Sequence, residues 1–220
     1  MTQRSRFPSV VDVVALARVG GGVLCIVVLA YAYSLRVEAG DGSPLDFFGY
    51  FTNQTSLLTS VVLIATGTIA LLGRRVPEWL CTARAVATAC LIVVAVVYNV
   101  LVPGTGSAPP WVSAVLHVIF PVAVVLDWFL VGDRPPLPWR CLWLVLPYPI
   151  VWLVAVLARG VTDGWVPYGF LLPERGLLSL AEHVVGLLAA LLAAGALVWA
   201  GSRLSVGPLA LAARVPERVG

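Results

Sequence analysis

The 220-residue sequence contains no lysine; all 14 basic residues are arginines. Charge of either sign is scarce, at 11% of positions, where a soluble domain carries about 25%. A water-soluble fold of this length would have too little polar surface to cover itself. The net charge of +3 is small and scattered. No basic cluster is interleaved with aromatics, which excludes nucleic acid as a partner. The four cysteines, Cys25, Cys81, Cys90 and Cys141, form no CxxC and no Cys/His pair at metal-binding spacing. They read as small apolar side chains. Neither histidine has ligands at binding spacing, and no glycine-rich loop could cradle phosphate. No cofactor is therefore expected. Neither an internal repeat nor a second domain is evident.

What the sequence does have is apolar length. Hydrophobic residues fill 60% of positions, and most of the 16 prolines and 20 glycines fall between the apolar runs. A membrane-crossing helix needs about 20 mostly apolar residues. Six stretches qualify: 19–35, 47–72, 83–102, 111–131, 137–158 and 177–200. In lipid each backbone N–H and C=O must be satisfied within the segment, so helix is the expected element. The fold class predicted is all-α, one polytopic bundle of six transmembrane helices, multi-pass in the cell membrane. Residues 8–18 either lead into the first span as a short interfacial helix or serve as the long n-region of a signal peptide. Their length favours a retained span.

Arginine placement predicts the orientation. With the N-terminus inside, Arg4, Arg6, Arg18, Arg74, Arg75, Arg84, Arg134, Arg140, Arg203, Arg214 and Arg218 are cytoplasmic. Only Arg36, Arg159 and Arg175 lie outside. Both ends are then cytoplasmic, with 201–220 as a tail.

Polar groups inside lipid are costly and point to function. At a rise of about 1.5 Å per residue, Thr52, Asn53 and Gln54 fall one to two turns below the outer end of the second span. Tyr98 and Asn99 lie near the outer end of the third. His117 lies about two turns into the fourth, and Glu182 and His183 lie at similar depth in the sixth. These groups share one layer of the outer leaflet. Thr52, Thr55, Ser56 and Thr59 follow helical spacing along one face. For the last three, helix packing through small hydroxyl residues is the expected role. Thr52 differs because it shares its layer with His117. His183 reads as an interfacial group or as the partner of a loop, with a contact to substrate or oxyanion as the functional alternative. Asp127, one loop from Arg134 and Arg140, reads as a surface or interfacial ion pair. The outer loop 160–173, carrying Trp165 and Tyr168, is either an aromatic belt or a lid over the polar layer.

Three segments resemble a known family: Phe47-Phe48-Gly49-Tyr50-Phe51-Thr52-Asn53-Gln54, Leu116-His117-Val118-Ile119-Phe120-Pro121, and the loop from Val161 to Leu171. Together they resemble the androgen-induced and androgen-dependent TFPI-regulating membrane proteins, and more closely their six-span bacterial relatives. The resemblance implies a threonine-type hydrolase with its active site inside the bilayer. In the animal members the substrates are fatty-acid esters of hydroxy fatty acids. The family's catalytic Thr would fall on Thr52 and its catalytic His on His117. Asn53 and Gln54 depart from the animal pattern, as does Gly169.

The residues make the chemistry plausible by themselves. A Thr hydroxyl needs a base to become a nucleophile, and a neutral His can take and return its proton. Asn53, Gln54 or Asn99 would donate to the developing oxyanion, and Glu182 is the candidate to orient His117. A lipid ester or other hydrophobic small molecule would enter from the bilayer. The other reading is a non-enzymatic membrane protein, a small-molecule carrier or binding scaffold using the same polar pocket. A carrier commonly shows repeats or broken helices at mid-membrane, and the sequence suggests neither.

Overall fold

The computed structural model describes residues 9–104 and 108–204. Arg4, Arg6, Arg214, Arg218 and the tail beyond residue 204 lie outside the described residues. The described chain is helical, without strands. Its helices are α1 (Val10–Glu38), α2 (Pro44–Gly49), α3 (Phe51–Leu71), α4 (Glu78–Leu101), α5 (Pro110–Ala114), α6 (Phe120–Val131), α7 (Pro147–Thr162) and α8 (Leu177–Gly201). A π turn, Val115–Ile119, joins α5 to α6, and a 3₁₀ segment, Trp139–Val145, leads into α7. Six stretches are long and apolar enough to cross a membrane: Val10–Glu38, Phe51–Leu71, Glu78–Leu101, Pro110–Val131, Trp139–Thr162 and Leu177–Gly201. The chain is thus a multi-pass integral membrane protein.

The third span begins at Glu78 rather than at residue 83 and the fifth runs to Thr162 rather than 158; two further differences change the architecture. The first helix does not begin at residue 19, because residues 10–18 are continuous with it. Ser9 and Asp12 form a reciprocal capping box at its start, which satisfies orphan N–H groups there. The second span is broken rather than continuous over 47–72. Tyr50 is extended (φ −69°, ψ 124°), so α2 ends at Gly49 and α3 starts afresh at Phe51. Trp152 Nε1 donates to the Gly49 carbonyl at 2.8 Å, and Phe51 packs between Tyr148 and Trp152. These contacts hold the break in place.

Helix α4 runs through the centre, with Ala85, Ala89, Cys90 and Leu91 essentially inaccessible. Helices α1 and α3 pack backbone to backbone. A side chain at Gly22 would meet the Ser60 carbonyl at 2.8 Å, and one at Gly67 would meet the Ala15 carbonyl at 2.5 Å. Ser56, Thr59, Ser60 and Thr66 are buried along this face of α3, as small-residue packing in lipid requires. The exposed side chains are instead large and apolar, among them Leu24, Val27, Val61, Val122, Val151 and Val154. Such a surface suits lipid rather than water.

At the end of the bundle where α3 meets α4, charged groups are buried together. Asp127 does not pair with Arg134 or Arg140, as the sequence suggested. It meets Arg18 Nε at 2.8 Å, with Arg84 Nε at 3.8 Å. Asp133 takes Arg18 Nη1 at 2.5 Å and Arg84 Nη2 at 2.6 Å. Arg134 instead lies over the Trp128 ring and donates to the Gly201 carbonyl at 2.7 Å. Partners from separate helices were not legible from chain proximity.

Candidate functional site

The opposite end of the bundle holds a cavity of ≈ 700 Å³. Thr52, Asn53, Tyr98, Ser113, His117, Tyr168 and His183 line it, together with Arg36, Asp41 and Arg175. Its size is that of a small-molecule site. A narrower apolar slot of ≈ 70 Å³ abuts it, between α4, α7 and α8. Val93, Val97, Trp152, Leu187 and Leu191 wall the slot. Thr52, Tyr98, Tyr168 and Phe170 belong to both spaces. Thr52 therefore stands where a polar chamber meets an apolar slot.

The break at Tyr50 gives Thr52 its position. As the second residue of α3, it lies in the first turn, where backbone N–H groups have no partner within the helix. The first helical bond runs from Gln54 N–H to the Tyr50 carbonyl, at 3.2 Å. The Tyr168 hydroxyl reaches this helix start and meets the Thr52 side chain and the backbone of Phe51 and Thr52. Burial pushes that hydroxyl up to about 12, with the Thr52 contacts pulling the other way. Tyr168 is thus a neutral phenol at any physiological pH, able to donate a hydrogen bond.

His117 sits in the π turn. Its Nδ1 lies 2.9 Å from the Ser113 carbonyl. A carbonyl only accepts, so Nδ1 carries the proton and the Nε2 lone pair remains for chemistry. The imidazole stacks on Tyr98, with ring centroids 3.5 Å apart and 12° between planes. His183 repeats the pattern, with Nδ1 2.7 Å from the Ser179 carbonyl and its ring stacked on Phe170. Stacking and a backbone bond leave each ring little freedom. No hydrogen bond joins Thr52 to His117 among the described residues, although both line the one chamber.

The remaining sequence candidates divide. Asn53 lines the chamber, but its Nδ2 donates to the Phe47 carbonyl at 2.9 Å. Gln54 is on α3 outside the lining of either space. Asn99 is exposed and also outside both linings; its Nδ2 bonds the Ala95 carbonyl at 2.8 Å and the His117 carbonyl at 3.4 Å. It steadies the backbone that carries His117. Glu182 is exposed, on the helix of His183 and apart from the lining. Trp165 packs edge-on to Tyr50 and under Arg159, 4.2 Å from the guanidinium carbon to the ring centroid. Its ring fills the space beside Gly49 where a side chain would stand. Arg159 also bonds Asp46 and Asp163, each at 2.8 Å. Trp165 and Arg159 thereby fasten the 163–171 loop over the α2–α3 break, with Tyr168 placed in the chamber.

Arg36, Asp41, Arg175 and Ser113 were not singled out from sequence. Arg36 and Arg175 figured only as outer loop charges, and nothing in local spacing shows which loop residues turn inward. Comparison with protein-family models, with curated proteins and with solved structures returns no match.

Proposed function

We propose that this chain is an intramembrane lipid ester hydrolase, with Thr52 as nucleophile and His117 as base. The observation that carries this reading is the shared chamber, with Thr52 at its junction with an apolar slot. An acyl chain in the slot would bring its ester carbonyl to Thr52. His117 Nε2 takes the Thr52 proton as Oγ1 attacks the carbonyl, then returns it to the departing alkoxide. A water, deprotonated by the same imidazole, cleaves the resulting acyl-threonine ester and regenerates the hydroxyl. The Tyr168 phenol and the first-turn N–H groups of α3, which meet one another at rest, are the donors available to the oxyanion. The non-enzymatic carrier or scaffold would use the same chamber without the covalent step.

The test is turnover of fluorogenic fatty-acyl esters by reconstituted full-length protein. Thr52→Ala and His117→Ala are each expected to lose about a thousandfold in kcat/KM or more, with unchanged helicity and monodispersity. A fluorophosphonate lipid probe should label wild type and spare Thr52→Ala. Wild-type turnover in either variant, or labelling that survives loss of Thr52, supports the non-enzymatic reading instead.

A further inference from the structure

The end of the bundle away from the chamber carries charge that the proposed chemistry does not use. There the connection between α6 and the 3₁₀ segment is stapled to the end of α8. Arg134 Nη2 donates to the Gly201 carbonyl at 2.7 Å, the Leu137 N–H to Ser202 Oγ at 2.9 Å, and Trp199 Nε1 to the Pro138 carbonyl at 3.1 Å. Arg203 closes the seam from the α8 side. Its Nη1 donates to the Trp199 carbonyl at 2.6 Å and its Nη2 to the Leu137 carbonyl at 2.7 Å.

The seam has charge of one sign. Residues 134–146 and 191–204 contain Arg134, Arg140 and Arg203 but no Asp or Glu. Behind it the charges do not balance either. Arg18, Arg84 and Arg134 share only Asp127 and Asp133. Arg134 is only 8% exposed, and its buried Nε and Nη1 have no acceptor. A charge held in the interior is poorly screened by water and salt. At the surface, Arg140 is exposed and makes no hydrogen bond or ion pair among the described residues. Arg203 has committed Nη1 and Nη2 to carbonyls and keeps further N–H donors. Exposed apolar side chains adjoin these arginines: Trp139, Trp143, Leu197 and Leu204. The Arg203 guanidinium lies 4.6 Å from the Trp139 ring centroid. Tryptophans at the edge of an apolar span mark the level of lipid headgroups.

We infer that this seam holds the headgroup of an anionic phospholipid from the adjacent leaflet. The phosphate sits on Arg140 and Arg203, Arg134 adds its charge from behind, and the acyl chains lie on the exposed apolar surface beside them. Guanidinium groups bind phosphate oxygens through paired N–H donors. A zwitterionic head gains less, because its ammonium group finds no carboxylate in the seam. Each arginine near the membrane surface favours anionic lipid about fivefold. The site needs neither the chamber nor an ester, so it stands or falls independently of Thr52 and His117.

The test is lipid competition on full-length protein in a neutral detergent. A fluorescent phosphatidylglycerol is bound first, and unlabelled phosphatidylglycerol, phosphatidylcholine and glycerol phosphate then compete for its place. Phosphatidylglycerol should compete about tenfold better than phosphatidylcholine. Glycerol phosphate has the head without the chains and should be about a hundredfold weaker. Arg140→Gln, which breaks no contact among the described residues, should cut the lipid preference to about twofold with thermal melting unchanged. Arg203→Gln should act in the same direction. Arg75→Gln, on the α3–α4 connection of the same end, should leave the preference intact. Equal competition by the two lipids would overturn the inference, as would a preference that survives both Arg140→Gln and Arg203→Gln. Glycerol phosphate competing as well as phosphatidylglycerol would also overturn it, since the seam would then read free phosphate. So would an Arg75→Gln loss equal to that of Arg140→Gln, which would show a diffuse effect of charge rather than a site.

Discussion

At the residue scale, Asp133 shows how the bundle accommodates charge. Burial works to raise its pKa, but the Arg84 and Arg18 guanidiniums more than offset that and hold the carboxyl far below the usual carboxylate range. The unfolded value is about 3.9. A depressed folded value means the stabilisation is complete above the unfolded value and is lost as pH falls towards the folded one. Thermal melting of the solubilised protein should therefore be insensitive to this group near neutrality and fall below about pH 4. Asp133→Asn should cost about 3–5 kcal/mol at neutral pH, because it leaves Arg18 and Arg84 under-compensated, and should flatten the acid response. An Asn variant as stable as wild type at pH 7 would show that the ion pairs contribute nothing. Tyr168 is the contrasting case. Its value of about 12 keeps it protonated throughout that range, so it adds no limb to an activity profile near neutrality.

At the element scale, two interruptions of regular helix set the site. Tyr50 separates α2 from α3 and leaves Thr52 in a first turn whose N–H groups have no acceptor within the helix. The π turn Val115–Ile119 carries His117, and Pro121 follows it. Proline has no N–H to offer the carbonyl four residues back, which here belongs to His117. The Phe120 N–H reaches the Val115 carbonyl, five residues back, and Asn99 from α4 approaches the carbonyl that Pro121 leaves free. π turns of this kind are frequent at functional sites. Pro121→Ala restores the missing donor and favours regular α-helix, which changes the direction of every side chain in the turn. The expected outcome is at least a tenfold loss of the esterase proposed above, with circular dichroism and melting temperature retained or higher. Full activity in that variant would show that the turn does not position His117.

At the scale of the whole molecule, the arginines divide by end, but not all of them face solvent. Arg18, Arg84 and Arg134 are buried in the ion cluster and against Trp128. Arg74, Arg75, Arg140 and Arg203 are exposed at the same end. At the chamber end, Arg36 and Arg159 are paired with Asp41, Asp46 and Asp163. The uncompensated charge still favours the α3–α4 end as cytoplasmic, and we propose that orientation, with the chamber in the outer leaflet. Ser43→Cys and Arg75→Cys, made singly with Cys141 replaced by Ser, report it through an impermeant maleimide. Ser43→Cys should label on intact cells and Arg75→Cys only after permeabilisation. The reverse pattern would invert the topology and place the chamber on the cytoplasmic side.

The sequence by itself determined the six spans, since apolar length and scarce charge leave lipid as the only solvent for this chain. It also determined which end of the bundle is polar, because residue number along a helix converts directly to depth. Thr52, His117 and His183 were legible for that reason, and Tyr168 as part of the outer loop; the structure brings all four to one chamber. Depth says nothing of rotation about a helix axis, so Asn99 and Glu182 share the layer and stay outside the chamber. Arg36 and Arg175 enter the chamber wall, and Asp127 pairs with Arg18, only through the path of connections and the docking of distant helices. Those pairings depend on three-dimensional packing and leave no periodic trace in the chain.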